Sequence, residues 1–176
     1  MKSVETELER MNIEIKYVTL EDKEFWFGLD AHLAESEFVK KVRDKQGYVL
    51  YDDGIPKGLL RYNLFWDNTP FCTMLFVDWS SQKNGYGRRL MEFWEKDMKL
   101  QGYGMVMTST QVDEDAQHFY RKLGYKDCGG CLFIAVLTSL RCRCHSFYFR
   151  IRVRAGCVAV FANAVYIVMS AFIHCA

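Results

Sequence analysis

The feature that most constrains this chain is the stretch from Phe71 to Tyr125. It opens with an apolar run, Thr73 to Trp79, and passes into Gln82-Lys83-Asn84-Gly85-Tyr86-Gly87. A segment with apolar residues at helical spacing (Leu90, Met91, Phe93, Trp94, Met98) follows, then a second apolar run, Met105 to Thr110, and the short segment Phe119-Tyr120-Arg121-Lys122-Leu123-Gly124-Tyr125. A strand feeding a glycine turn and then a helix leaves backbone N–H groups unpaired at the helix start. The helix dipole adds partial positive charge at the same place, which suits a phosphate. Lys83, Arg88 and Arg89 reinforce that charge. No Gly-Lys-Ser/Thr follows, so this is not a Walker loop. The third glycine of a Rossmann fingerprint is also missing.

Upstream, residues 1–11 read as a charged leader, with no apolar stretch of the signal-peptide kind. Ile13, Ile15, Tyr17 and Leu20 read as a strand, and Thr19 to Asp22 as a helix start. One helix is expected through Phe25, Trp26, Leu29 and Leu33. A second runs from Glu35 to Lys45, with Phe38, Val39 and Val42 inward and Lys40, Lys41, Arg43 and Asp44 outward. After Gly47 the pattern changes to hairpins: Tyr48–Tyr51, a turn at Asp52-Asp53-Gly54-Ile55-Pro56, Leu59–Trp66, a turn at Asp67 to Pro70, and Cys72–Trp79. The helix after the glycine loop makes Met105–Thr110 the far side of a crossover, hence parallel to its predecessor. The fold class is α+β: a mixed, mostly antiparallel sheet with a central parallel strand pair and helices on both faces.

Gln-x-x-Gly-x-Gly after an apolar strand, then helix, strand and Asp113-x-x-Ala116-x-x-x-Tyr120-x-Lys122-x-Gly124-Tyr125, resembles the GNAT superfamily of acyl-CoA-dependent N-acyltransferases. The resemblance implies an enzyme that moves an acetyl group from acetyl-CoA to a primary amine. The acceptor would be a small molecule or a peptide, attacking directly, with no metal. Phe76 and Val77 would then hold the pantetheine and polarise the thioester carbonyl. Gln82, Lys83, Asn84, Gly85, Tyr86, Gly87 and Arg88 would surround the pyrophosphate. Tyr120 would protonate the departing thiolate. Asp113 stands where the family often has asparagine; it can accept hydrogen bonds but donates only when protonated. The alternative is a non-catalytic acyl-CoA sensor. Glu35, Asp67, Asp78 and His32 are the groups to consider as a base, each equally readable as a surface or structural residue. Neither nucleic acid nor membrane is expected as a partner, and a homodimer is compatible with the sequence.

Seven cysteines, an odd number, and the charged N-terminus favour a reducing cytoplasmic compartment. Six of them lie from Cys128 onward. The composition also changes at the end of the chain: from Thr138 there are five arginines and no acids, against 18 basic and 22 acidic residues before it. The chain therefore divides into a leader (1–11), an N-acetyltransferase domain (12–137) and an atypical tail (138–176). Phe147, Phe149, Ile151 and Val153 alternate with Tyr148, Arg150, Arg152 and Arg154. The tail has four readings: the closing strand of the sheet, inserted beside Met105–Thr110; an aberrant segment such as a shifted reading frame; a membrane anchor from the uncharged run after Ala155; or a metal site from Cys128, Cys131, Cys142, Cys144 and His145.

Overall fold

The computed structural model describes residues 12–111, 114–132 and 146–153. It divides into two units, Met1–Gln101 and Gly102–Ala176.

In the first unit four strands form an antiparallel meander: β1 (Ile13–Tyr17), β2 (Gly47–Asp52), β3 (Ile55–Phe65) and β4 (Thr69–Val77). The β2–β3 turn is the Asp-Gly hairpin that the sequence specifies. Asp53 and Gly54 have φ of 49° and 77°, and positive φ at both central residues matches the right-handed twist of the strands. The next turn lies one residue earlier than expected. Trp66 and Asp67 carry its positive φ, while Thr69 and Pro70 already pair with Phe65 and Leu64.

Helices cover both faces of this meander. On one side lie α1 (Lys23–Leu29) and α2 (Glu35–Arg43), where Trp26 and Phe38 meet Val18, Val49 and Leu59. On the other lies α3 (Tyr86–Leu100), which buries Leu90, Met91, Trp94 and Met98. Tyr48 and Tyr62 reach that side, against Phe93 and Trp94 respectively. Phe93, expected on the inner face, is 38% exposed at its margin.

Two side chains of α2 exchange the places that helical spacing gave them. Val39 is exposed, whereas Lys41 is buried. The Lys41 ammonium donates to Gln46 Oε1 (2.7 Å), to the Tyr62 carbonyl (2.9 Å) and to Asn63 Oδ1. Three acceptors satisfy all its donors, and this is what makes a buried lysine tolerable. Burial, and secondarily Arg61, lower its pKa.

In the second unit β5 (Met105–Gln111), α4 (Ala116–Lys122), β6 (Lys126–Leu132) and β7 (Ser146–Val153) follow one another. β7 pairs antiparallel with both β5 and β6, giving the order β5-β7-β6. The alternating stretch at 147–153 is therefore the closing strand, with Met105 opposite Val153 and Gln111 opposite Phe147. β6 begins at Lys126, earlier than the Cys131 start expected: Gly129 and Gly130 lie within the strand, after a register shift between Asp127 and Gly129. Residues 133–137, Cys142, Cys144, His145 and the apolar run after Ala155 lie outside the described residues. Among the described residues no helix is long and apolar enough to cross a membrane, and no group of His, Cys, Asp or Glu could hold a metal ion.

Candidate active site

The strand β4 ends at Val77, and the chain turns at once into a short 3-10 helix, Trp79–Ser81. Asp78 makes that turn. Its carboxylate accepts from Ser80 N–H (3.2 Å), from the Ser80 hydroxyl and from the Ser81 hydroxyl (3.4 Å). These bonds lower the Asp78 pKa, the Ser80 hydroxyl contributing most. The carboxylate is thus occupied in shaping the turn. The Gln82 amide then ties back to the Val77 carbonyl (3.1 Å), and the Asn84 amide to the Ser81 carbonyl (3.3 Å). Two of the polar residues of the loop therefore fix its path.

Lys83 and Gly85 adopt positive φ, 66° and 82°. The second is the N-cap of α3, where a β-carbon would meet nothing within 4 Å but a side chain would be strained. Arg89 N–H is paired, to the Gly85 carbonyl at 3.1 Å. Ahead of it, the N–H groups of Tyr86, Gly87 and Arg88 find no acceptor among the described residues. Three adjacent donors at the positive end of a 15-residue helix form an anion cradle, and the residues present fit a pyrophosphate.

Tyr86 faces away from solvent, 4% exposed, and its hydroxyl donates to Asp52 at the end of β2. The hydrogen bond to that carboxylate, followed by burial, pushes the Tyr86 pKa up to about 12. Only its backbone is thus placed to meet a phosphate. Sequence reading missed Asp52 as a partner of the loop. The residue sits in a hairpin whose turn chemistry accounts for it locally, and nothing in the spacing announces a bond to Tyr86.

Phe76 and Val77 lie opposite Leu59 and Gly58 in the ladder. At Gly58 a β-carbon would approach the Phe76 carbonyl at 3.0 Å, so glycine permits the close strand approach next to the loop. Phe76 also meets Trp79 edge-on, with ring centroids 5.2 Å apart. The first unit therefore brings Phe76, Val77 and Gln82 to Arg88 into one continuous strand–turn–helix corner.

Tyr120 belongs to the second unit. It is buried in α4, packed between Phe119 (5.1 Å, 70°) and Tyr125 (5.6 Å, 63°). Gly124, at φ 88°, turns the chain so that Tyr125 N–H can bond the Tyr120 carbonyl (3.0 Å). Asp113 lies outside the described residues. Of the candidate bases, Glu35 is ion-paired with Lys23 (2.6 Å) on the surface, Asp67 is exposed in its hairpin turn, and His32 is exposed.

Residues 43–127 match the family model described as acetyltransferase (GNAT) domain. Over that stretch the chain carries a GNAT acetyltransferase domain. Three solved structures share its mixed, mostly antiparallel α+β fold, the class expected from the sequence. Ard1 from Thermoplasma volcanium is 15% identical, with a TM-score of 0.67, over 80% of this chain and 97% of that one. The ribosomal-protein-S18-alanine N-acetyltransferase from Escherichia coli is 15% identical, TM-score 0.64, over 83% and 97%. Arabidopsis thaliana Naa50, in complex with the bisubstrate analogue CoA-Ac-MVNAL, is 14% identical, TM-score 0.64, over 81% and 99%. No curated protein matches the sequence.

Proposed function

We propose that this protein is an N-acetyltransferase that moves the acetyl group of acetyl-CoA to a primary amine. The observation that carries this reading is the row of unclaimed N–H groups at Tyr86, Gly87 and Arg88, directly behind Gly85 and within a GNAT domain. Gln82, Lys83 and Asn84 complete the loop around the pyrophosphate, and Asp113 belongs to the coenzyme site as well. The pantetheine arm runs back along β4, where main-chain groups of Phe76 and Val77 hold it and polarise the thioester carbonyl.

The acceptor nitrogen attacks that carbonyl as the neutral amine, the C–S bond breaks, and the thiolate takes the phenolic proton of Tyr120. The proton lost by the acylated nitrogen passes to water. Direct transfer needs no acyl-enzyme.

Calorimetry of acetyl-CoA against the full chain tests the coenzyme site. Micromolar binding is expected, and Gly85→Glu should abolish it by placing bulk and negative charge in the cradle. Tyr120→Phe should lower kcat about a hundredfold or more with little change in coenzyme affinity. Binding without turnover of any amine would identify an acyl-CoA sensor instead. No binding by folded protein overturns the reading.

A further inference from the structure

Arg61 stands in the middle of β3 with its side chain only 15% exposed. Its Nε donates to Asp30 Oδ2 at 2.6 Å, and one terminal nitrogen donates to Thr73 Oγ1 at 2.9 Å. Among the described residues the other terminal nitrogen has no acceptor. Asp30, at the C-cap of α1, is fully buried, and its second carboxylate oxygen has no partner either. Core packing does not require this arrangement. A buried ion pair with a donor and an acceptor left over costs stability compared with an apolar pair of the same volume.

The place is also particular. The β3–β4 ladder shifts register here, Arg61 facing Met74 and Tyr62 facing Cys72, so that Thr73 has no partner in the ladder. Thr73 lies four residues before Val77 on the strand that feeds the glycine loop, about 13 Å back along an extended chain. A pantetheine arm lying along β4 from the cradle reaches that distance, and the placement therefore rests on the function proposed above.

We propose that Arg61 is the recognition group for the acceptor: two corners of its guanidinium are fixed by Asp30 and Thr73, and the third receives an amide carbonyl adjacent to the reacting amine. The acceptor is then of the peptide or aminoacyl-amide kind. Asp30 neutralises the guanidinium, so the pair as a whole has no net charge to attract a carboxylate. A polyamine offers no oxygen to the free corner and would bring its second cation against Arg61. Asp30 is a positioning residue that aims Arg61, and Arg61 makes the contact.

The test compares kcat/KM for alaninamide and an amidated tetrapeptide with that for sec-butylamine, an amine without a carbonyl, using the full chain and acetyl-CoA. Arg61→Lys keeps a charge for Asp30, but its compact ammonium lacks the planar spread to reach Asp30, Thr73 and the acceptor together. It should lower the ratio of amide to alkylamine kcat/KM about tenfold or more, the loss expected for a hydrogen bond to a charged group. Thr73→Val, which frees one corner, should lower the ratio in the same direction by less, and it decides the matter if Arg61→Lys melts early. An equal loss on all three amines, or a wild-type preference for sec-butylamine over the amides, overturns the inference and leaves the acetyltransferase reading standing. Turnover of none of the amines by protein that binds acetyl-CoA also overturns it. Failure to bind acetyl-CoA overturns the proposed function itself.

Discussion

On the α3 side of the first unit's sheet, the core is aromatic and its phenols are hydrogen-bonded, while Trp94 Nε1 and Asp52 Oδ1 have no partner among the described residues. Tyr62 lies against Trp94, and the Tyr17 and Tyr48 hydroxyls both donate to Asp97 Oδ2, at 2.7 and 2.6 Å. Burial, aided by that carboxylate, raises the pKa of both phenols, which stay protonated donors. On the α1–α2 side, an apolar cluster around Trp26 and Phe38 shares its space with charged groups: the Asp30–Arg61 pair, Asp22 bonded to Tyr51, and Lys41. The first face holds a helix whose first N–H groups, at Tyr86, Gly87 and Arg88, have no acceptor among the described residues. The second face retains unused hydrogen-bonding capacity. On the function proposed above, the first side supports the coenzyme loop and the second offers Arg61 to the acceptor.

Removing a ring from the α3 side should break that face most severely. Trp94→Ala should cost about 3–5 kcal/mol by urea denaturation, because the indole is fully buried and the cavity cannot collapse. Phe93→Ala, one residue earlier at the margin, should cost less than about 1 kcal/mol. Equal losses at the two positions would remove the distinction between anchor and rim.

The other face breaks at its strand. Gly47 is where the indole of Trp26 lies on β2, and a β-carbon there would meet Trp26 Cη2 at 2.9 Å and Val18 Cγ1 at 2.8 Å. Gly47→Ala should therefore destabilise by about 1–3 kcal/mol in the same measurement. A neutral result would mean that the α1–α2 side repacks freely.

The smallest effect sharpens the link between sheet and cradle. The bond to Asp52 pushes the Tyr86 phenol up to about 12 in the folded chain, against 10.0 for an ordinary tyrosine. Between those pH values the folded protein holds a proton that the unfolded chain has lost, so stability present below pH 10 declines as pH rises toward 12. Tyr86→Phe should flatten that part of the alkaline stability profile. An unchanged slope would show that the bond to Asp52 does not couple the loop to β2.

What the sequence discloses follows from how local the cause is. The Asp53-Gly54 turn, the apolar stripe of α3 and the period of two at 147–153 are each set by neighbours along the chain; the first two form where they were expected, and the third takes one of the four readings open for the tail, the strand. The glycine loop was legible for the same reason, since positive φ at Gly85 is a demand met by one residue type. Lys41 was misplaced because its burial depends on the Tyr62 carbonyl and Asn63, on a strand that helical spacing cannot see. Asp30, Arg61 and Asp52 were missed likewise, because their partners are distant in sequence and a charged side chain reads as solvated until its partner is known.

The insertion of β7 between β5 and β6 also sets an order of events during synthesis. β5 and β6 both precede β7 in the chain, and until β7 pairs with them neither has the neighbour that joins it to the other. Each then presents a row of open N–H and C=O groups of the kind that recruits other chains. The first unit can pair its four strands in the order in which they are made, whereas β5 and β6 must wait for β7.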